Sequence, residues 1–290
     1  MEVTVGLAGA DHRAAEAYAP SIAAHPDLVF AGVWAPSPQD ARRLAERHAV
    51  RDFARHDDLV RECDAIVYAL PPATQAEFAL MALGHGRAVL LGRPIAGDLA
   101  GAERLAIAAR TSGAPTQMAL TWRYAPAVRE FLAQEVRRTR PRGGTGRCVA
   151  APPISAPALP AERGVLRTLG PDLIDLLDAA LGRALAVHAR VDSSGWTGLT
   201  LEHPDGRFSE AFLFPTDDAG SHRADAEVFG PGGVAELDCA AAVGRDAYDT
   251  MIAEFVEAIH DGRPHELDVR HGLHLQQVIE EADLKVLAGQ

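Results

Sequence analysis

Short apolar runs that alternate with helical patterns through the first 112 residues constrain this chain more than any other feature. Val3-Thr4-Val5-Gly6-Leu7-Ala8, Leu28-Val29-Phe30-Ala31-Gly32-Val33-Trp34, Ala65-Ile66-Val67-Tyr68-Ala69-Leu70 and Ala88-Val89-Leu90-Leu91 read as buried strands. Between them, apolar residues recur at helical spacing: Ala14, Ala15, Tyr18 and Ile22, then Phe78, Leu80 and Leu83. Pro36-Ser37-Pro38 ends the second strand, and Ser37 stands three residues ahead of Asp40 as the cap of a helix reaching His48. A further helix is expected from about Leu99 to Ser112. Parallel strands need such crossover helices, so the pattern predicts a doubly wound Rossmann sheet that binds ligands at the carboxyl ends of its strands.

Those carboxyl ends carry an imperfect phosphate fingerprint. In Gly-x-Gly-x-x-Gly register the three positions are Gly9, Asp11 and Ala14. Gly9 allows the tight turn and Ala14 lets helix and strand approach. Asp11 places a carboxylate where backbone would face a pyrophosphate, unless it turns away or caps the helix. The second strand runs into Ala35-Pro36-Ser37, with no acid to hold the adenosine ribose of NAD. Ser37 with Arg42 or Arg43 would accept a 2′-phosphate and favour NADP. The alternative is that Ser37 only caps its helix and the arginines are solvated.

The rest of the composition removes whole classes of function. The net charge of −12 offers no basic stripe for nucleic acid. The locally basic Arg137–Arg147 run, rich in Gly and Pro, reads as a solvated loop. No apolar run approaches the roughly 20 residues of a membrane helix, and the first residues lack a basic leader, so a cytoplasmic location is expected. Cys63, Cys148 and Cys239 are too scattered for a disulfide framework or a zinc site. His260, His265, His271 and His274 cluster late in the chain, where packing or surface roles outweigh a metal site. Lys285 is the only lysine, so no other lysine is available for catalysis.

Together these segments resemble the glucose–fructose oxidoreductase / inositol dehydrogenase family (Gfo/Idh/MocA). The resemblance rests on Pro71-Pro72-Ala73-Thr74-Gln75, on Gly84 to Ala96 with its Gly92-Arg93-Pro94 triplet, on Thr121 to Val128, on Gly164 to Asp175, and on the tail from Tyr248 to Leu287. It implies a Rossmann domain over residues 1–121 and an α+β domain over 122–290 with an open, mostly antiparallel sheet. Leu185 to Val191, Gly198 to His203, Ser209 to Phe214, Ala224 to Phe229 and Val234 to Asp238 suit such strands, with Pro204-Asp205-Gly206 and Gly230-Pro231-Gly232-Gly233 as turns. It also implies a homo-oligomer formed through the free sheet face. A nicotinamide cofactor, NADP slightly before NAD, would lie against Gly9, Ala10, Asp11, His12, Ala35, Ser37, Leu70, Pro71, Pro72, Gln75, Gly92, Arg93 and Arg123.

Carried over residue by residue, the family's chemistry is altered. The catalytic lysine falls on Arg93, the glutamate before it on Gly92, the histidines on Gln75 and Asp172, and the aspartate on Thr168. Arginine keeps its charge up to about pH 12 and cannot shuttle a proton, although it binds carboxylates, phosphates and hydroxyls. Asp172 is a candidate general base, but a free aspartate titrates near about 3.9 and an Arg93–Asp172 ion pair would lower that further. The segment between Ala150 and Gly164 offers only Ser155, Glu162 and Arg163 among prolines and alanines as polar ligands for a polyol. Three readings stay open: an NAD(P)-dependent oxidoreductase acting on a sugar-like or other small hydroxyl or carbonyl substrate, a non-catalytic ligand-binding or partner subunit, and an enzyme of non-redox chemistry.

Overall fold

A computed structural model describes residues 2–150, 161–216, 218 and 221–288, without the side chains of 161–163, 287 and 288. By its contacts the chain forms two units, Met1–Ala119 with Tyr248–His274, and Leu120–Ala247 with Leu275–Gln290.

The first unit is built on β1 (Val3–Ala8), β2 (Leu28–Trp34), β3 (Arg51–Asp52), β4 (Ala65–Tyr68), β5 (Ala88–Leu91) and β6 (Thr116–Met118). Every neighbouring pair is parallel, in the order β3-β2-β1-β4-β5-β6. All residues of β4 and β5 are buried, as expected for strands covered on both faces, and this is why they read as unbroken apolar runs. The crossovers are a π-helical turn (Ala14–Tyr18) continuing into α1 (Ala19–Ala24), then α2 (Pro38–His48), α3 (His56–Glu62), α4 (Pro72–Gly84) and α5 (Leu99–Ser112). Ser37 and Asp98 cap α2 and α5 through the amides of Asp40 and Gly101. The tail segment is stitched to β6: Met118 N–H donates to Leu267 O at 2.7 Å, Val269 N–H to Thr116 Oγ1 at 3.2 Å, and Gln117 Nε2 to Met251 O at 2.9 Å.

The second unit opens with a 3-10 turn (Thr121–Tyr124), α6 (Pro126–Glu130), a π-helical turn (Phe131–Glu135) and α7 (Val136–Thr139). Its sheet runs β12-β11-β7-β10-β9-β8, from β7 (Gly143–Ala150), β8 (Ala186–Val191), β9 (Thr197–His203), β10 (Arg207–Pro215), β11 (Arg223–Gly230) and β12 (Gly233–Asp238). Only β7 and β10 pair in parallel. Burial alternates along β9 and β10, so one face is packed, by α8 (Ala161–Leu181), and the other exposes Trp196, Phe208 and Phe214. Cys239–Ala242 forms α9, Arg245–Asp261 α10 and Val269–Ala288 α11.

The α/β class and the mostly antiparallel second sheet agree with the sequence. The basic run does not. Arg137 and Arg138 are helical, and residues from Gly143 onward form β7, inside the sheet rather than in a solvated loop. The glycines are there for close approach: a Cβ on Gly146 would lie 2.5 Å from Leu173 of α8, and one on Gly144 would lie 2.9 Å from Glu227 O.

Candidate functional site

β1 lies between β2 and β4, so the sheet's connections diverge on either side of it and leave a crevice at its carboxyl end. Gly9 makes that end possible. Its N–H donates to Trp34 O at 2.7 Å, its φ is +127°, and a Cβ there would overlap Ala69 O. Asp11 turns its carboxylate onto the following helix, where Oδ1 accepts from Ala14 N–H at 2.8 Å and its carbonyl from Ala15 N–H at 3.0 Å. It is an N-cap, exposed, and it occupies one of the helix-terminal amides that a pyrophosphate would otherwise use. Ala10 is half-buried and His12 exposed beside it, while Ala14 is fully buried where the fingerprint wants a small residue.

At the end of β2, Ala35 is buried and carries no acid. Ser37 Oγ accepts from Asp40 N–H at 3.3 Å, the capping alternative. Arg42 and Arg43 are exposed and reach Asp52 and Asp40, each at 3.5 Å. Beneath this edge lies an aromatic group that the sequence reading missed. His56 is buried with its ring centroid 4.4 Å from Phe78 and 5.1 Å from Trp34. Tyr68 donates its hydroxyl proton to Phe78 O at 3.0 Å, so His56 Nε2, 3.1 Å away, is the donor to the phenol oxygen. Burial pushes the His56 pKa down to about 4, with Asp57 opposing. Aromatic residues ending the two strands that flank β1, Trp34 and Tyr68, were the available signal.

The loops after β4 and β5 meet through Gln75. Leu70, Pro71 and Pro72 lead into α4, where Pro71 O accepts from Gln75 N–H at 2.8 Å. The Gln75 side chain is 1% exposed. Its Nε2 lies 3.1 Å from Gly92 O, 3.1 Å from Ile95 O and 3.4 Å from Pro94 O, and its Oε1 accepts from Gly92 N–H at 2.8 Å. Arg93, half-buried, is the residue between these anchors. Tyr18 lies close enough to feel it: burial raises the phenol to about 12, Arg13 and Arg93 oppose the rise, and Tyr248 adds to it. The Tyr18 and Tyr248 rings meet edge to face at 5.9 Å.

In the second unit, Arg123 Nη1 pairs with Asp175 Oδ1 at 2.9 Å, with both side chains largely buried. Its backbone carbonyl accepts from Arg129 Nε at 2.9 Å. Arg123, expected beside the cofactor, is thus tied to α8. Asp172, one turn earlier on α8, is 3% exposed. Thr168 spends its hydroxyl on Gly164 O at 2.7 Å, which leaves little of the aspartate function it would replace. Ser155 and its neighbouring prolines lie outside the described residues, as do the side chains of Glu162 and Arg163. Of the late histidines, His265 Nε2 lies 3.1 Å from Glu254, and the His271 and His274 rings are 6.2 Å apart. Among the described residues no helix is long and apolar enough to cross a membrane.

Residues 3–120 match the GFO_IDH_MocA family, described as an oxidoreductase family with an NAD-binding Rossmann fold. Solved structures match over the whole chain. GenD2 from gentamicin A biosynthesis, in complex with NAD, has a TM-score of 0.85 at 20% identity over 100% of this chain and 95% of its own. UDP-N-acetylglucosamine 3-dehydrogenase GnnA from Acidithiobacillus ferrooxidans has a TM-score of 0.88 at 19% identity over 99% of both chains. An oxidoreductase from Agrobacterium radiobacter, in complex with NAD+, L-tartaric acid and magnesium, has a TM-score of 0.87 at 14% identity over 100% of this chain and 98% of its own. At these identities the structures establish likeness of fold.

Proposed function

We infer, from a chain that belongs through residues 3–120 to the Gfo/Idh/MocA oxidoreductase family with its NAD-binding Rossmann fold, that this protein is a nicotinamide-dependent oxidoreductase of a small hydroxyl or carbonyl substrate, sugar-like in class, whose site has been rebuilt around an arginine. The observation that carries the reading is the convergence of Gly9, Ala69 and the Gln75-anchored Arg93 loop at the carboxyl ends of β1, β4 and β5. The residues fit a dinucleotide. Gly9 gives the close turn, Ala10 is half-buried with His12 exposed beside it, and the Asp11 carboxylate is directed into its own helix.

A nicotinamide held there would supply the hydride acceptor or donor. The chain's own residues bind and orient. Arg93, a permanent cation, lies against the bound nucleotide and holds a substrate oxygen, and it takes no part in proton transfer. In the second unit, the family resemblance puts the buried Asp172 in the place of the catalytic histidine. The buried Ala35 and the ion-paired Arg42 and Arg43 give NADP no clear advantage over NAD. A second copy of the chain covers the exposed Trp196 and Phe208 on the free sheet face.

Calorimetry with NAD(H) and NADP(H), followed by turnover across sugars, cyclitols and hydroxy acids, tests the reading. Binding of at least one nucleotide with turnover of a substrate supports it. No heat with either nucleotide at millimolar concentration removes it. Binding without turnover across the panel favours a ligand-binding or partner subunit, a reading that draws on the loss of lysine at position 93 and of an active aspartate at position 168.

A further inference from the structure

We propose that Gln75 and Gly92 form a paired latch that positions Arg93, so that the changes at 75, 92 and 93 are one rebuilt unit rather than three separate losses. The proposal rests on the reading above for the role of Arg93, but the latch itself is read from the first unit alone.

One side-chain amide grips the chain on both sides of Arg93. Before it, Gln75 Oε1 takes Gly92 N–H and Nε2 donates to Gly92 O. After it, the same nitrogen reaches Ile95 O at 3.1 Å and, more weakly, Pro94 O at 3.4 Å. A primary amide carries two N–H donors and a separate carbonyl acceptor, so one side chain serves backbone N–H and C=O groups together. A carboxylate at 75 has no donor, and an apolar side chain has neither donor nor acceptor. Gly92 is the complement: a Cβ there would lie 3.2 Å from Gln75 Oε1, so any side chain at 92 presses on the latch.

Other contacts make the loop stiff. Pro94 fixes its own φ. A Cβ on Gly97 would lie 2.9 Å from Ala73 Cβ of α4, and one on Gly272 of α11 would lie 2.5 Å from Ile95. Asp98 then caps α5. An arginine has many rotatable bonds, and a backbone fixed on both flanks lowers the ordering cost when its guanidinium meets a ligand. Gln75 is therefore a positioning residue. It acts through Arg93, with its own amide buried and engaged by the loop backbone.

The test is a double-mutant cycle on the full chain. Gln75→Met, Arg93→Met and the double variant are each measured for NADH affinity by calorimetry and for amide hydrogen exchange over residues 92–96. Gln75→Met is expected to weaken NADH about tenfold and to raise exchange at Gly92. In the Arg93→Met background it should cost NADH affinity less than about twofold more, because the residue it positions is gone. Equal losses in both backgrounds, or a Gln75→Met variant that destabilises the fold without changing NADH affinity, overturn the positioning role. Unchanged exchange at Gly92 in Gln75→Met overturns the latch. If the wild type binds neither NADH nor NADPH, positioning of Arg93 for a nucleotide and the oxidoreductase reading both fall, and the exchange measurement still decides the latch.

Discussion

Gln75→Glu tests the energetics of the loop, because it changes one NH2 to an oxygen at nearly constant shape. Gly92 N–H keeps its acceptor. Gly92 O and Ile95 O, each 3.1 Å from the nitrogen that is replaced, lose their donor and face a carboxylate oxygen. A neutral hydrogen bond is worth about 1 kcal/mol net, and a buried acceptor left without a donor costs about 1–3 kcal/mol. The variant should therefore lose roughly 3–5 kcal/mol when the introduced carboxyl is ionised. Protonated, it donates to one of the two carbonyls and recovers about half of that.

Burial against carbonyl oxygens raises the folded-state pKa of the introduced carboxyl. Its relative stability is then fully present below the unfolded glutamate value of about 4.3 and is lost as pH rises through the higher folded-state value. Urea denaturation of wild type and variant at pH 5 and pH 8 reads the difference directly. The deficit should be larger at pH 8. A deficit under about 1 kcal/mol at pH 8, against the ~1–3 kcal/mol expected per orphaned acceptor, would refute the argument. So would equal deficits at the two pH values.

Asp11→Asn keeps a capping oxygen for Ala14 N–H and removes the charge. NADH should bind about three- to tenfold tighter at low salt, with the gain shrinking as salt screens it, and an unchanged or weaker affinity contradicts the phosphate placement. Asp175→Asn removes one charge from the largely buried Arg123–Asp175 pair and should cost about 2–4 kcal/mol in denaturation experiments; a change near zero would mean the pair contributes nothing to stability. His56 is neutral in the folded state because burial lowers its pKa from 6.5 to about 4. Unfolded protein takes up the proton first on acidification, so wild type should lose about 2–3 kcal/mol relative to His56→Phe as pH falls through that window, and none above it. Parallel stability curves for the two proteins between those pH values would count against the buried neutral imidazole.

Features that depend on neighbours in sequence were legible before the structure. The apolar runs that became β1, β2, β4 and β5 announced themselves because a parallel sheet buries both faces. Ser37 and Asp11 could be read as caps because the amides they accept from lie three residues ahead. The Gfo/Idh/MocA resemblance is borne out over residues 3–120. Features that depend on distant partners were not legible. Gly143 and its neighbours looked like a loop because glycine is read locally as a turn former, whereas here it admits α8 and β11. Gln75 looked like a lost histidine because nothing in its own segment shows the loop it holds, 17 to 20 positions away.

The sequence by itself determined the fold class and the apolar runs that became β1, β2, β4 and β5 of the first unit. Only the tertiary structure decided that Tyr248–His274 completes the first unit through β6, that Arg123 is tied to Asp175, and that Gln75, Gly92 and Arg93 form one device. Periodicity and capping act over a few residues and leave a trace in the sequence. A buried amide finds its partners only after the sheet has brought α4 and the end of β5 together, and the need to satisfy its polar atoms then fixes the loop.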